Sequence, residues 1–152
     1  MKFDDIESLQ KEFEGFDFTQ NSCSEEECNS DSVDLKDYPS YTDALYALLM
    51  APVSCGVYIS KIDIKRIAYD AGESMAIHPR KRMFELLMKY AIDKETMQRV
   101  LESMGNHIEE KIAVYEELQA LYPSSKELFV PKIEKAQKTI RSFPKIIREY
   151  FE

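Results

Sequence analysis

The run His78-Pro79-Arg80-Lys81-Arg82 is the densest group of chemically capable side chains in this sequence. Pro79 suits a first helical turn, because its fixed φ matches the helix and its missing N–H is one that turn leaves unbonded. Three cations then fall in the opening turn of a helix whose N-terminus already carries roughly half a positive charge. Each such cation costs about 0.3–1 kcal/mol at an exposed site. Unbonded N–H groups beside three cations make an arrangement that attracts anions. His78, Arg80, Lys81 and Arg82 are therefore expected to contact an anion: the chain's own acidic residues, a phosphate, or a carboxylate patch on a partner. The plainer expectation is a solvated turn whose cations pair with nearby carboxylates such as Glu73 or Glu85.

Other reactive groups are sparse. Cys23, Cys28 and Cys55 are an odd number of thiols, which fits poorly with a disulfide framework. With His78 or His107 they lack the close Cys pairs of a structural zinc site, so they are weak candidates and no metal is expected. Glu25, Glu26 and Glu27 between Cys23 and Cys28 raise thiol pKa and slow oxidation. His107 sits beside Ile108 and reads as a packing or boundary residue. The sequence shows no glycine-rich phosphate loop, no His-Glu-x-x-His helix and no calcium-loop spacing. No cofactor and no enzymatic activity are expected.

The elements that position these groups follow from composition and spacing. The chain has 152 residues, room for one ordinary domain. Four glycines are too few for the turns of a loop-rich all-β fold. The net charge of −8 is unevenly placed. Residues 1–40 hold 12 acidic and 3 basic side chains, and residues 41–152 hold 16 and 17, so a nearly neutral body carries an acidic arm. Within the arm, Phe3, Ile6, Leu9, Phe13 and Phe16 recur at helical spacing over residues 1–18 and predict an amphipathic segment that either packs on the body or docks on a partner. Residues 19–40 are polar and acidic and read as a flexible linker. The N-terminus lacks the basic flank and apolar run of a signal peptide. The longest apolar run, Ala44 to Val53, is far short of the roughly 18 residues of a spanning helix. A cytoplasmic protein away from membranes is expected.

Residues 41–152 predict an all-α domain of four to five helices. Ser40 and Asp43 have capping-box spacing, and ALYALLMA at 44–51 is apolar all round, which predicts the most buried helix, stopped by Pro52. Val53 to Ile59 reads as a loop. Ser60 and Asp63 cap a second helix with Ile62, Ile64, Ile67, Ala68 and Ala71 as its apolar set, closed by Gly72. A third helix runs from Pro79 to about Ala91, with a Glu85–Lys89 pair. Asp93 caps the longest helix, 94–121, whose Gly105-Asn106 is a weak point. After a turn at 122–125, Ser124 and Glu127 cap a last helix that Pro144 is expected to break. The short turn makes the last two helices an antiparallel hairpin. Met83, Met88, Met97 and Met104 are expected in the core or on an adaptable binding surface.

These readings point to a non-enzymatic protein-interaction factor, a small adaptor or chaperone-like protein, with a partner protein of unknown identity. Two alternatives stand beside it. One is an anion or nucleic-acid binder acting through residues 80–82 and gated by the acidic arm, although the net charge makes nucleic acid a poor partner. The other is a homo-oligomer such as a homodimer, since the stripe on 94–121 exceeds what a body of this size covers.

Overall fold

Helices follow one another without a strand in residues 37–152, the part of the chain that the computed structural model describes. They are α1 (Thr42–Leu49), α2 (Pro52–Cys55), α3 (Lys61–Asp70), α4 (Arg80–Tyr90), α5 (Lys94–Leu121) and α6 (Lys126–Phe151), with a 3-10 turn at Pro123–Ser125. All of them lie in one unit, Lys36–Glu152. The expectations for residues 1–36, including docking by Phe3, Ile6, Leu9 and Phe13 and the chemistry of Cys23 and Cys28, fall outside the described residues.

α5 and α6 form the antiparallel hairpin that the short turn predicts, and the remaining helices pack on it. α3 lies on α5, α2 lies on α6, and α4 packs against both α3 and α1. The core gathers side chains from every helix. Phe84, Met83, Leu87 and Met88 of α4 meet Met97 and Met104 of α5 and Leu45 and Leu49 of α1 at essentially zero exposure. The four methionines expected either inside or on a binding surface are therefore all core, and the adaptable-surface alternative for them is corrected.

Several boundaries differ from expectation for definable reasons. The first helix opens without a side-chain cap: Tyr41 is its N-cap residue, and the Thr42 N–H bonds to the Pro39 carbonyl at 3.0 Å. This helix is not covered all round. Leu45, Leu49 and Met50 turn inward while Ala44, Ala47 and Leu48 face solvent. A helix at the surface of a small body is covered on one side only. Pro52 ends α1 but also starts α2, in the first-turn position where proline is harmless.

The expected stop at Pro144 is the largest correction. α6 runs uninterrupted through both Pro131 and Pro144. Each proline faces solvent. Ile133, Ala136, Phe143, Ile146 and Ile147 bury a continuous stripe around them, and that burial outweighs the roughly 3 kcal/mol of an interior proline. The Ser124–Glu127 cap does not form either. Ser125 is the N-cap residue, and its hydroxyl donates to the Tyr122 carbonyl at 2.6 Å.

Two glycines mark required close approaches. Gly56 closes α2 at φ +84°, and a Cβ there would press into the Lys132 carbonyl and stand 2.9 Å from the Ala136 nitrogen. α2 therefore meets the backbone of α6 directly. Gly105 does not interrupt α5; it lies under Phe143, whose ring would sit 3.4 Å from an added Cβ. The predicted weak point is a seat for an aromatic ring.

Candidate functional site

The structure separates the three cations of residues 80–82. Arg80 turns inward. Its Nε donates to the Ile59 carbonyl at 2.6 Å, one terminal nitrogen donates to the Met50 carbonyl, and the other reaches the Tyr46 hydroxyl at 3.3 Å. The guanidinium also lies 4.6 Å from the Tyr58 ring centre and 5.8 Å from that of Tyr46, in the range of cation–π attraction. Met50 is the C-cap of α1. A cation poorly placed at the start of α4 is thus well placed at the negative end of α1. Three of its donors are thus engaged by acceptors of α1 and the 56–60 connection.

The other members of the group stay outside. Arg82 sits 3.6 Å from Glu85, one of the carboxylates anticipated for it. Lys81 and His78 are exposed. Lys89 pairs with Asp37 rather than with Glu85, and that contact holds the Asp37 carboxyl below its ordinary range.

His107 and Asp63 form a partly buried polar junction between α3 and α5. Ser60 and Asp63 make the predicted capping box, with Asp63 N–H donating to Ser60 Oγ at 3.2 Å and Ser60 N–H donating to Asp63 Oδ2 at 2.8 Å. His107 Nε2 lies 3.3 Å from Asp63 Oδ1, and Lys111 Nζ lies 4.0 Å from Oδ2. Partial burial alone would raise the Asp63 carboxyl, but hydrogen bonding from Ser60 and the charges of His107 and Lys111 outweigh it and hold the group low. The junction fixes α3 on α5. Cys55 is fully buried, and burial raises its thiol pKa, which keeps it protonated and poorly nucleophilic. Among the described residues no group of three or more His, Cys, Asp or Glu side chains is placed to hold a metal ion.

The surface that stands out was only partly legible in sequence. In seven-residue register, Met97, Met104, Lys111 and Leu118 alternate with Val100, His107, Val114 and Leu121, the 3,4 spacing of a helix-pairing seam. α3 covers the first part. It runs antiparallel to α5, with the Ser103 hydroxyl donating to the Ile67 carbonyl at 3.2 Å, Arg66 bonded to Glu110 at 3.0 Å, and Asp63 beside His107 and Lys111. α3 has ten residues, and its N-terminus lies at the level of Lys111. Beyond it the seam continues uncovered: Val114 is 49% exposed and Leu121 65%. No residue of α5 after Ile112 is buried, and no residue of α6 before Ile133 is. The distal hairpin also carries Tyr122 and Leu128 exposed, with Tyr115 stacked on Phe129 at 5.3 Å.

An open groove lies on another side of the same hairpin. Near its proximal end a cavity of about 700 Å³ is floored by Leu101, Ile140, Phe143 and Ile147 and edged by the Lys94–Glu152 pair.

Comparison with known proteins adds no relative: no family, no characterised protein and no solved structure matches this chain.

Proposed function

We propose that this chain is a non-enzymatic protein-interaction factor, an adaptor whose helical hairpin presents apolar surface to a partner protein. One observation carries the reading. The hairpin outlasts the body packed on it, so its distal half keeps Val114, Leu121, Tyr122 and Leu128 in water. Apolar surface that the described helices leave uncovered marks an interaction site. The polar groups at the helix ends support the same view. Arg80, Asp63 and Asp93 each serve a helix end, which is structural work. Among the described residues no helix is long and apolar enough to cross a membrane. The reading carries a cytoplasmic location, supported by the protonated, buried Cys55 and the odd thiol count.

The test is affinity capture with the full-length chain at low and physiological salt, followed by reconstitution from purified components. A partner that binds at fixed stoichiometry supports the reading. Recovery of no stoichiometric partner at either salt concentration overturns it.

A further inference from the structure

We propose that the distal half of α5 docks one basic amphipathic helix of a partner protein, laid along α5 in line with α3. The proposal rests on the partner-binding reading and names its surface and the chemistry of its occupant. Val114, Leu118 and Leu121 continue the seam that α3 fills, with no change of register, so the site extends an interface the molecule already uses. α3 shows what that interface accepts: an apolar helix face with a cation at its flank, where Arg66 holds Glu110 at 3.0 Å. Glu117 stands one heptad beyond Glu110 on the same flank. A helix that continues the line of α3 meets the same pattern again, three apolar side chains and a carboxylate that calls for a Lys or Arg.

Charge decides between occupants. Of the four carboxylates in residues 109–121 of α5, Glu110 and Glu117 flank the seam, while Glu109 and Glu116 line the groove toward α6. A second copy set antiparallel on this seam brings Glu110 and Glu117 of each chain beside those of the other. Like charges at flanking positions oppose that pairing, and opposite charges select a partner. A basic helix meets both the apolar seam and its acidic edge. Lys111, already beside Asp63, closes the site at the end where α3 begins.

The experiment titrates the full-length chain against two labelled synthetic helices of three heptads, both with Leu at the seam positions. One has Lys on its flanks and the other has Glu. The expected result is saturable binding of the Lys helix at least tenfold tighter than the Glu helix. Leu118→Asp separates docking from general attraction by an acidic protein. It adds a negative charge, so mere electrostatics tightens the Lys helix, whereas docking in the seam weakens it tenfold or more. Glu110→Lys with Glu117→Lys is expected to reverse the preference. Circular dichroism confirms that each variant keeps its fold. Equal binding of the two helices, or Lys-helix binding that Leu118→Asp leaves unchanged or strengthens, overturns the proposal. So does a dimer in sedimentation that Leu118→Asp abolishes, which assigns the seam to a second copy. A reconstituted partner that still binds Leu118→Asp leaves the partner-binding reading standing and removes this surface from it.

Discussion

The proximal and distal halves of α5 are built on one spacing and end in opposite environments. From Lys94 to Ile112 the helix buries Met97, Val100, Met104 and Ile108 under α3 and the core. From Ala113 to Leu121 the same 3,4 spacing meets no helix of the described residues except α6. The apolar spacing sets which face of α5 seeks cover, and the length of α3 sets how much of that face receives it. A ten-residue helix spans about 15 Å, while α5 spans about 42 Å. The uncovered remainder has the chemistry of a core and the exposure of a surface.

Truncation should separate the halves most sharply. Met104→Ala removes a fully buried side chain and is expected to cost about 2–5 kcal/mol. Leu121→Ala at an exposed position is expected to stay within about 0.5 kcal/mol. Urea unfolding of the two variants checks this; similar losses at both positions would mean that the distal half is covered in the free protein.

A comparable contrast exists within three residues of α4. Arg80→Ala strands the Met50 and Ile59 carbonyls and removes charged hydrogen bonds worth about 1.5–3 kcal/mol each. The expected loss is roughly 3 kcal/mol, with Lys81→Ala near zero. Thermal unfolding of the pair tells a structural clasp from a solvated basic turn, because the latter makes the two variants equal.

Sequence spacing revealed much of this and missed the rest for physical reasons. Local signals with nearby partners were legible: the Ser60–Asp63 box, the Asp93 cap bonded to Thr96 at 2.9 Å, and Gly72 at φ +102° after α3. Pro144 misled because its local cost is visible in sequence while the burial that offsets it, by Phe143 and Ile147 on α5, comes from a distant segment. Arg80 also depends on a distant segment. Its unfavourable position in α4 is local, and its favourable position at the end of α1 lies 30 residues away. The uncovered seam was half legible: the excess length of the 94–121 stripe is in the sequence, but the point where α3 stops covering it is not.

The α3–α5 junction gives the comparison a pH signature. Asp63 has a lowered carboxyl pKa in the folded chain, so it binds its proton less readily than in the unfolded chain. Its contribution is complete above the ordinary carboxyl value of 3.8 and fades as pH falls below it. Asp63→Ala is expected to cost about 1 kcal/mol near neutral pH, and the gap to the parent protein should close in acid. A gap that stays constant to pH 2 would show that the carboxylate charge plays no part at this junction.

The smallest effects test the comparison at a single repeated position. Glu110 and Glu117 flank the seam one heptad apart, and only Glu110 faces α3, through Arg66. That ion pair is largely exposed, so Glu110→Gln should cost at most about 1 kcal/mol and less in high salt. Glu117→Gln removes a carboxylate beside Glu116 in an acidic stretch, so stability should stay level or rise slightly. Its effect should appear instead in binding, as a weaker grip on the Lys-flanked helix. Both thermal midpoints and that affinity can be followed at two salt concentrations. If Glu117→Gln lowers stability as much as Glu110→Gln, the carboxylate already has a partner within the chain, and the two halves of the seam differ less than their exposure indicates.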